Sequence, residues 1–314
     1  MNQKVFTKLL FSRILMSFAA GLLLFTFLYA GLAIQRYLIS GKPGEFFYLT
    51  LSTWHHPGYL SFYVVFAMGA SFWLFLNDKN RKPWKAMVYI MLSLWWLVFV
   101  FLLSSKVGFL SLILFILFAS WQIYRKVSRR SFVIAVLLIL IMLAGVSVPF
   151  SGTIRARFAV MQQRGFVVPD LSTIRRADGI VIRLISWDIA LHQWKNVPVA
   201  GVGTGDYHDK TWSELKERGL VEVFGGFKNA HNQFLQTAVT CGSIGFIALL
   251  MWIFIPLLSL KRPIPWINTF FVALLVINLM VESMLETQAG VMFIVFFQII
   301  LHKKLPEAEA SGNG

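Results

Sequence analysis

Apolar residues in this chain fall into blocks of about 18 to 24, separated by short basic clusters, and this alternation constrains the fold more than any other feature. A helix of that length crosses the roughly 30 Å hydrocarbon core of a bilayer. Inside lipid the backbone must satisfy its own N–H and C=O groups, so blocks without strand alternation are expected to be helical. Candidate spans run over 11–34, 57–76, 86–103, 107–124, 131–150, 233–260, 266–285 and 289–302. The expected fold class is an all-α polytopic membrane protein with about eight transmembrane helices. Composition agrees. Of 314 residues, 57% are hydrophobic and 14% charged, against roughly 25% charged in a soluble domain, which excludes an ordinary cytoplasmic enzyme. The first run is longer than a signal-peptide core and has no small-x-small cleavage site before a mature domain, so it reads as a retained span.

The net charge is +15, from 29 Lys+Arg and 14 Asp+Glu. The basic residues are not gathered in a soluble domain, so nucleic acid is not an expected partner; they mark topology instead. With the N-terminus in the cytoplasm, every short cytoplasmic loop is basic, as in Lys79-Asn80-Arg81-Lys82 and Arg129-Arg130. The short loops of the other face hold only Arg36, Lys42 and Lys106. Both termini are therefore expected inside. The domains are then 1–150 with five spans, 151–232 as a large periplasmic loop, 233–304 with three spans, and a polar tail over 305–314. The single cysteine, Cys241, lies in an apolar run and precludes any disulfide within the chain.

The loop 151–232 carries 11 Lys+Arg and 8 Asp+Glu. Long loops escape the charge rule and tend to be functional. Ile180, Leu184, Trp187 and Leu191 recur at helical spacing, so about 178–195 reads as an amphipathic helix at the membrane interface. Pro198 and the run Gly201, Gly203, Gly205 end it in a turn. Asp206, His208 and Asp209 read as turn residues. The Gly203-Thr204-Gly205 run has neither the strand before it nor the Lys-Ser/Thr helix after it that a nucleotide loop requires.

Arg155, Arg157, Arg164, Arg175, Arg176, Arg183 and Arg218 make the loop rich in guanidinium groups. Such groups bind phosphate oxygens in a fork, although headgroup anchoring explains any one of them equally well. Arg183 differs because it sits in the expected helix, beside the apolar stripe. His231 lies where the loop re-enters the membrane as a helix; the free N–H groups of a first helical turn draw phosphate, and a histidine there is placed to act as a general base or as a cap. His55 and His56 are adjacent, so they do not face one another on a helix, and no metal site is expected there or elsewhere. Glu282 and Glu286, at the outer end of the seventh span, need cationic partners, for which the outer arginines or Lys106 are candidates.

Read in order, His56-Pro57-Gly58-Tyr59, Leu103-Ser104-Ser105-Lys106, Arg183 with Trp187, Pro198 through Gly201-Val202-Gly203-Thr204-Gly205, Ala230-His231-Asn232 with Gly242 and Gly245, and Glu282-Ser283 through Gly290 resemble the O-antigen ligase and polymerase superfamily of bacterial membrane glycosyltransferases. That resemblance implies a GT-C-like arrangement and an inverting, metal-independent transfer, without cofactor, of a glycan from an undecaprenyl-diphosphate donor to a hydroxyl acceptor. The acceptor would be lipid A-core, a glycan or another hydroxyl compound. It implies His231 and Arg183 as catalytic residues and Arg157, Arg183 and Lys106 as diphosphate contacts, with Glu282, His56 and Tyr59 supporting them. Lys106 stands where many relatives carry arginine, and lysine keeps the charge but loses the fork. The chain is short for that superfamily, which implies a trimmed start or a reduced lipid-binding scaffold. Ligase and polymerase differ in acceptor and stay unresolved at this level. A carrier for an anionic lipid-linked sugar is the alternative class; it calls for charged or broken helices at mid-membrane, whereas the spans read as clean.

Overall fold

The structure, a computed structural model, describes residues 8–78, 82–125, 179–224, 229–258 and 265–302. The expected fifth span (131–150) and Arg155, Arg157, Arg164, Arg175 and Arg176 lie outside these residues. Every regular element among the described residues is helical. In order they are α1 (Lys8–Ser40), a 3-10 turn (Pro43–Phe46), α2 (Tyr48–Leu51), α3 (Pro57–Asn77), α4 (Pro83–Leu103), α5 (Lys106–Tyr124), α6 (Gly179–Asn196), α7 (Asp206–Glu217), α8 (Val221–Phe224), α9 (Gln233–Leu258), α10 (Trp266–Leu279), a 3-10 turn (Met284–Glu286) and α11 (Gln288–His302). Helices α1, α3, α4, α5 and α9 contain stretches long and apolar enough to cross a membrane. With α10 and α11 as shorter apolar helices, the chain is a polytopic all-α membrane protein.

The residues divide into two compact units: the described parts of 1–150, 256–275 and 294–314, and those of 151–255 and 276–293. In the first unit α3 is enclosed by α1, α4 and α5 and buries nearly every residue from Pro57 to Ser71. Proline at the first position fixes the start of α3 and α4, where the missing N–H costs nothing. Gly69 admits the ring of Phe270, which a Cβ would strike. Phe66 packs edge to face with Phe271 and Phe297, and Phe297 with Phe18. On the outside, Leu24, Leu38, Met87, Met91, Ile113 and Leu117 are exposed, an apolar surface that suits lipid rather than water.

In the second unit α6 is a core helix. Its observed bounds match the expected ones within a residue, but the stripe differs. Val181, Ile185 and Ile189 are buried with Leu215 and Leu220, and Ala190 joins a second cluster with Val202, Tyr207, Ala230 and Val239. Of the expected stripe, Leu191 is exposed, while Leu184 and Trp187 are half-buried. The apolar residues of this helix occupy two neighbouring i, i+4 rows, and packing against α7 selects the row that spacing did not. Asp206, His208 and Asp209, expected in a turn, form the first turn of α7, where their position suits acidic groups. That helix ends in a Schellman motif: Leu220 N–H bonds Leu215 O (2.8 Å), Gly219 N–H bonds Lys216 O (3.0 Å), and Gly219 takes φ +68°.

The expected span 233–260 is not a clean helix. At Gly242 the backbone leaves helical geometry (φ 66°, ψ −169°). Ser243 N–H, which would have bonded Val239, turns to Pro198 O (2.8 Å), while Val202 N–H takes Val239 O (2.8 Å) and Gly203 N–H takes Thr240 O (3.0 Å). The break thus exchanges partners with the 197–203 turn and leaves those carbonyls satisfied, the condition under which a membrane helix tolerates interruption. A Cβ on Gly242 would fall on the Val199 carbonyl, and one on Gly201 would fall on the α9 backbone. The span expected over 266–285 likewise stops as a helix at Leu279. The turn that follows is held by side chains: Leu285 N–H donates to Gln233 Oε1 (2.8 Å), and Asn232 N–H donates to Ser283 Oγ (3.2 Å).

Candidate active site

Arg183, His231 and Glu282, distant in sequence, meet in the second unit. Helix α6 carries Arg183, the segment before α9 carries His231, and the turn after α10 carries Glu282. Glu282 is buried, with 8% of its side chain exposed, and its two oxygens are divided between the other two groups. Oε1 accepts from Arg183 Nη2 at 2.5 Å, and Oε2 lies 3.4 Å from His231 Nδ1. Arg183 Nε donates in addition to the Val281 carbonyl at 3.3 Å. The guanidinium is therefore clamped side-on by a carboxylate and a carbonyl of adjacent residues, a geometry that lysine does not reproduce. Arg183 and His231 keep 29% and 23% of their side chains accessible.

The backbone at His231 explains how the ring is held. His231 takes φ +47°, a left-handed conformation that costs a non-glycine residue of order 1–2 kcal/mol. The surrounding side chains impose it. Asn229 Oδ1 accepts from His231 N–H (3.0 Å), Gln236 Oε1 accepts from Ala230 N–H (2.9 Å), and Asn232 Oδ1 caps α9 through Phe234 N–H and Leu235 N–H. The cap is therefore Asn232, not His231. It also uses two of the first-turn N–H groups expected to draw a phosphate, so the positive character of this corner rests on Arg183. Asn232, Gln233 and Gln236 were not among the expected site residues, although an Asn immediately before an apolar run is an N-cap signal.

Arg157 lies outside the described residues. Lys106, His56 and Tyr59 belong to the first unit. Lys106 opens α5 directly after the two-residue turn Ser104-Ser105, in which Ser104 is left-handed and Ser105 Oγ caps Gly108 N–H at 3.4 Å. His56 is the N-cap of α3, its Nδ1 accepting from Gly58 N–H at 3.3 Å, and its ring lies 5.8 Å from the buried Tyr59 ring. His55 turns away from it to the Tyr29 hydroxyl (3.0 Å), and burial lowers its pKa below the ordinary 6.5. The two histidines thus serve separate partners. Among the described residues no group of three or more His, Cys, Asp or Glu is arranged to hold a metal. Tyr207, buried beside the glycine turn, has its phenol pushed up to about 12 by burial and remains protonated.

The fold and this corner define a multi-pass membrane protein with a buried carboxylate joining an arginine and a histidine. A family described as O-antigen ligase matches residues 91–250, just over half of the chain, and the chain belongs to that family. The matched stretch contains Arg183, His231 and the glycines of the α9 break. An uncharacterized protein of Haemophilus influenzae is 30% identical over 91 residues, 29% of this chain and 23% of the relative. The chain thus matches less than a quarter of that relative's length.

Proposed function

We propose that the protein is a glycosyltransferase of the ligase or polymerase type, acting at the periplasmic face of the inner membrane, with both termini in the cytoplasm. Its donor is a glycan on undecaprenyl diphosphate and its acceptor a hydroxyl compound; the ligase reading, with lipid A-core as acceptor, is preferred. The observation that carries this is the division of one buried carboxylate between Arg183 and His231 in a chain of this family.

In this reading the donor diphosphate binds at Arg183, whose guanidinium stabilises charge on the leaving group. Arg157, outside the described residues, is the second diphosphate contact that the family resemblance implies. With Nδ1–H donating to Glu282, a neutral His231 presents Nε2 as acceptor. The acceptor hydroxyl oxygen attacks the anomeric carbon on the face opposite the diphosphate. The new C–O bond forms as the glycosyl–phosphate bond breaks, the lipid diphosphate leaves with the electron pair, and the hydroxyl proton passes to His231. Arginine takes the charge-neutralising role, so transfer continues in the presence of a chelator. The break in α9 removes the clean-span argument against a carrier, but its exchanged carbonyls are bonded within the chain and make no open coordination site.

The test is incubation of purified protein in lipid nanodiscs with a lipid-diphosphate glycan and a panel of acceptors, with products sized. Transfer to lipid A-core identifies a ligase, and glycan elongation a polymerase. Movement of the lipid-linked sugar across a bilayer with no new glycosidic product, or transfer undiminished in both Arg183→Ala and His231→Ala, overturns the reading.

A further inference from the structure

Helices α6 and α7 enclose a second feature that the proposed chemistry does not use, a cleft of about 320 Å³. Its volume falls at the lower end for small-ligand pockets. One wall is prearranged. Glu214 is held by the Arg218 guanidinium, by His192 Nδ1 (3.0 Å) and by Gln193 Nε2 (3.1 Å), and Gln193 Nε2 also faces Thr211 Oγ1 (3.4 Å). Gln193 is 6% exposed and its Oε1 has no hydrogen-bond partner among the described residues. The remaining lining is Asn196, Asp209, Lys210, Ser213 and Glu217, so carboxylates outnumber the lysine and the charge is net negative.

That lining excludes the phosphate chemistry of the Arg183 corner, because carboxylates repel a diphosphate or a uronate. The carboxylates do not converge on a metal geometry. What the wall does match is a ligand of several hydroxyl donors without charge: vicinal hydroxyls donate to the carboxylates and to the exposed Asn196 amide oxygen that line it. We propose that this cleft is a binding subsite for a neutral sugar residue. Helix α6 carries both features, with His192 nine residues beyond Arg183, roughly 13 Å along the axis at 1.5 Å per residue. At about 3.6 residues per turn the same nine residues carry His192 to the opposite side of α6, so a glycan with its reducing end at Arg183 has to pass around the helix to reach the cleft. This extension rests on the proposed transferase reading; the binding claim does not.

The test uses the full chain in nanodiscs and saturation-transfer NMR with free neutral oligosaccharides of two to four residues, beside matched uronate oligosaccharides. Neutral sugars are expected to bind, and uronates to bind at least tenfold more weakly. The exposed pair Asp209→Ala/Glu217→Ala, which leaves the core untouched, is expected to weaken neutral-sugar binding about tenfold, while Arg183→Ala/His231→Ala leaves it unchanged. Absence of neutral-sugar binding, equal binding of uronates, or binding indifferent to Asp209→Ala/Glu217→Ala overturns the proposal whether or not transfer is observed. Where transfer is observed, a rise in KM for the lipid-linked donor or for the acceptor, with kcat preserved, assigns the bound sugar to one or the other.

Discussion

Glu282 is the residue on which the proposed site turns, because it is the only one of the three that touches both others. Glu282→Gln preserves shape but removes the charge and turns one of the two acceptor oxygens into an NH2 donor, so the side chain no longer accepts from Arg183 and His231 together. Transfer is expected to fall roughly 10²–10⁴-fold, the range that general-base participation supplies, with the protein still monodisperse in the membrane fraction. Arg183→Lys should retain more transfer than Arg183→Ala yet far less than wild type, since the side-on clamp by Glu282 and Val281 needs the planar fork. His55 provides a separate pH signature. Its folded pKa lies below 6.5 through burial, so its contribution to stability is fully present above that value and is lost as pH falls through the lower folded pKa. Thermal melts of wild type should weaken with acidification in that window, and His55→Gln, which cannot titrate, should flatten the dependence. Arg183, His231 and Glu282 were each legible from the sequence as chemically unusual at a membrane edge. That one carboxylate serves both was not, because 51 residues separate Glu282 from His231.

At the scale of elements, glycines separate two kinds of constraint. Gly219 has a left-handed φ and open space around it, so Gly219→Ala should cost about 1 kcal/mol in a denaturant or thermal melt, with transfer intact. Gly242 combines a left-handed φ with the Val199 carbonyl against its missing Cβ. Gly242→Ala should cost about 3 kcal/mol, left-handed strain and overpacking together, and should disturb transfer because the same break anchors the turn leading from α6 to α7. Some helix boundaries were readable: the start of α3 at Pro57 and the end of α6 before Pro198; α4 instead begins at Pro83, ahead of the expected 86. The break in α9 was not, since a single glycine in an apolar run looks the same whether the helix bends or continues. The buried face of α6 was equally hidden, for a helix with two apolar rows leaves the choice to its neighbours.

For the whole molecule, the testable statement concerns orientation. In a Cys241→Ser background, Glu217→Cys should react with a membrane-impermeant maleimide in intact spheroplasts, and Lys85→Cys only after the membrane is breached; the reverse pattern would invert the topology. The chain by itself determined the class. Apolar blocks of spanning length leave helices as the only structure that satisfies the backbone in lipid, and the basic loops bias which side each faces. Tertiary structure alone decided which polar groups meet. The Arg183–Glu282–His231 junction, the exchange of hydrogen bonds between the Gly242 break and the 197–203 turn, and the contact of Gln193 Nε2 with Glu214 all join separate segments of the chain. Such pairings are selected by packing over the whole unit, and local spacing carries no record of them.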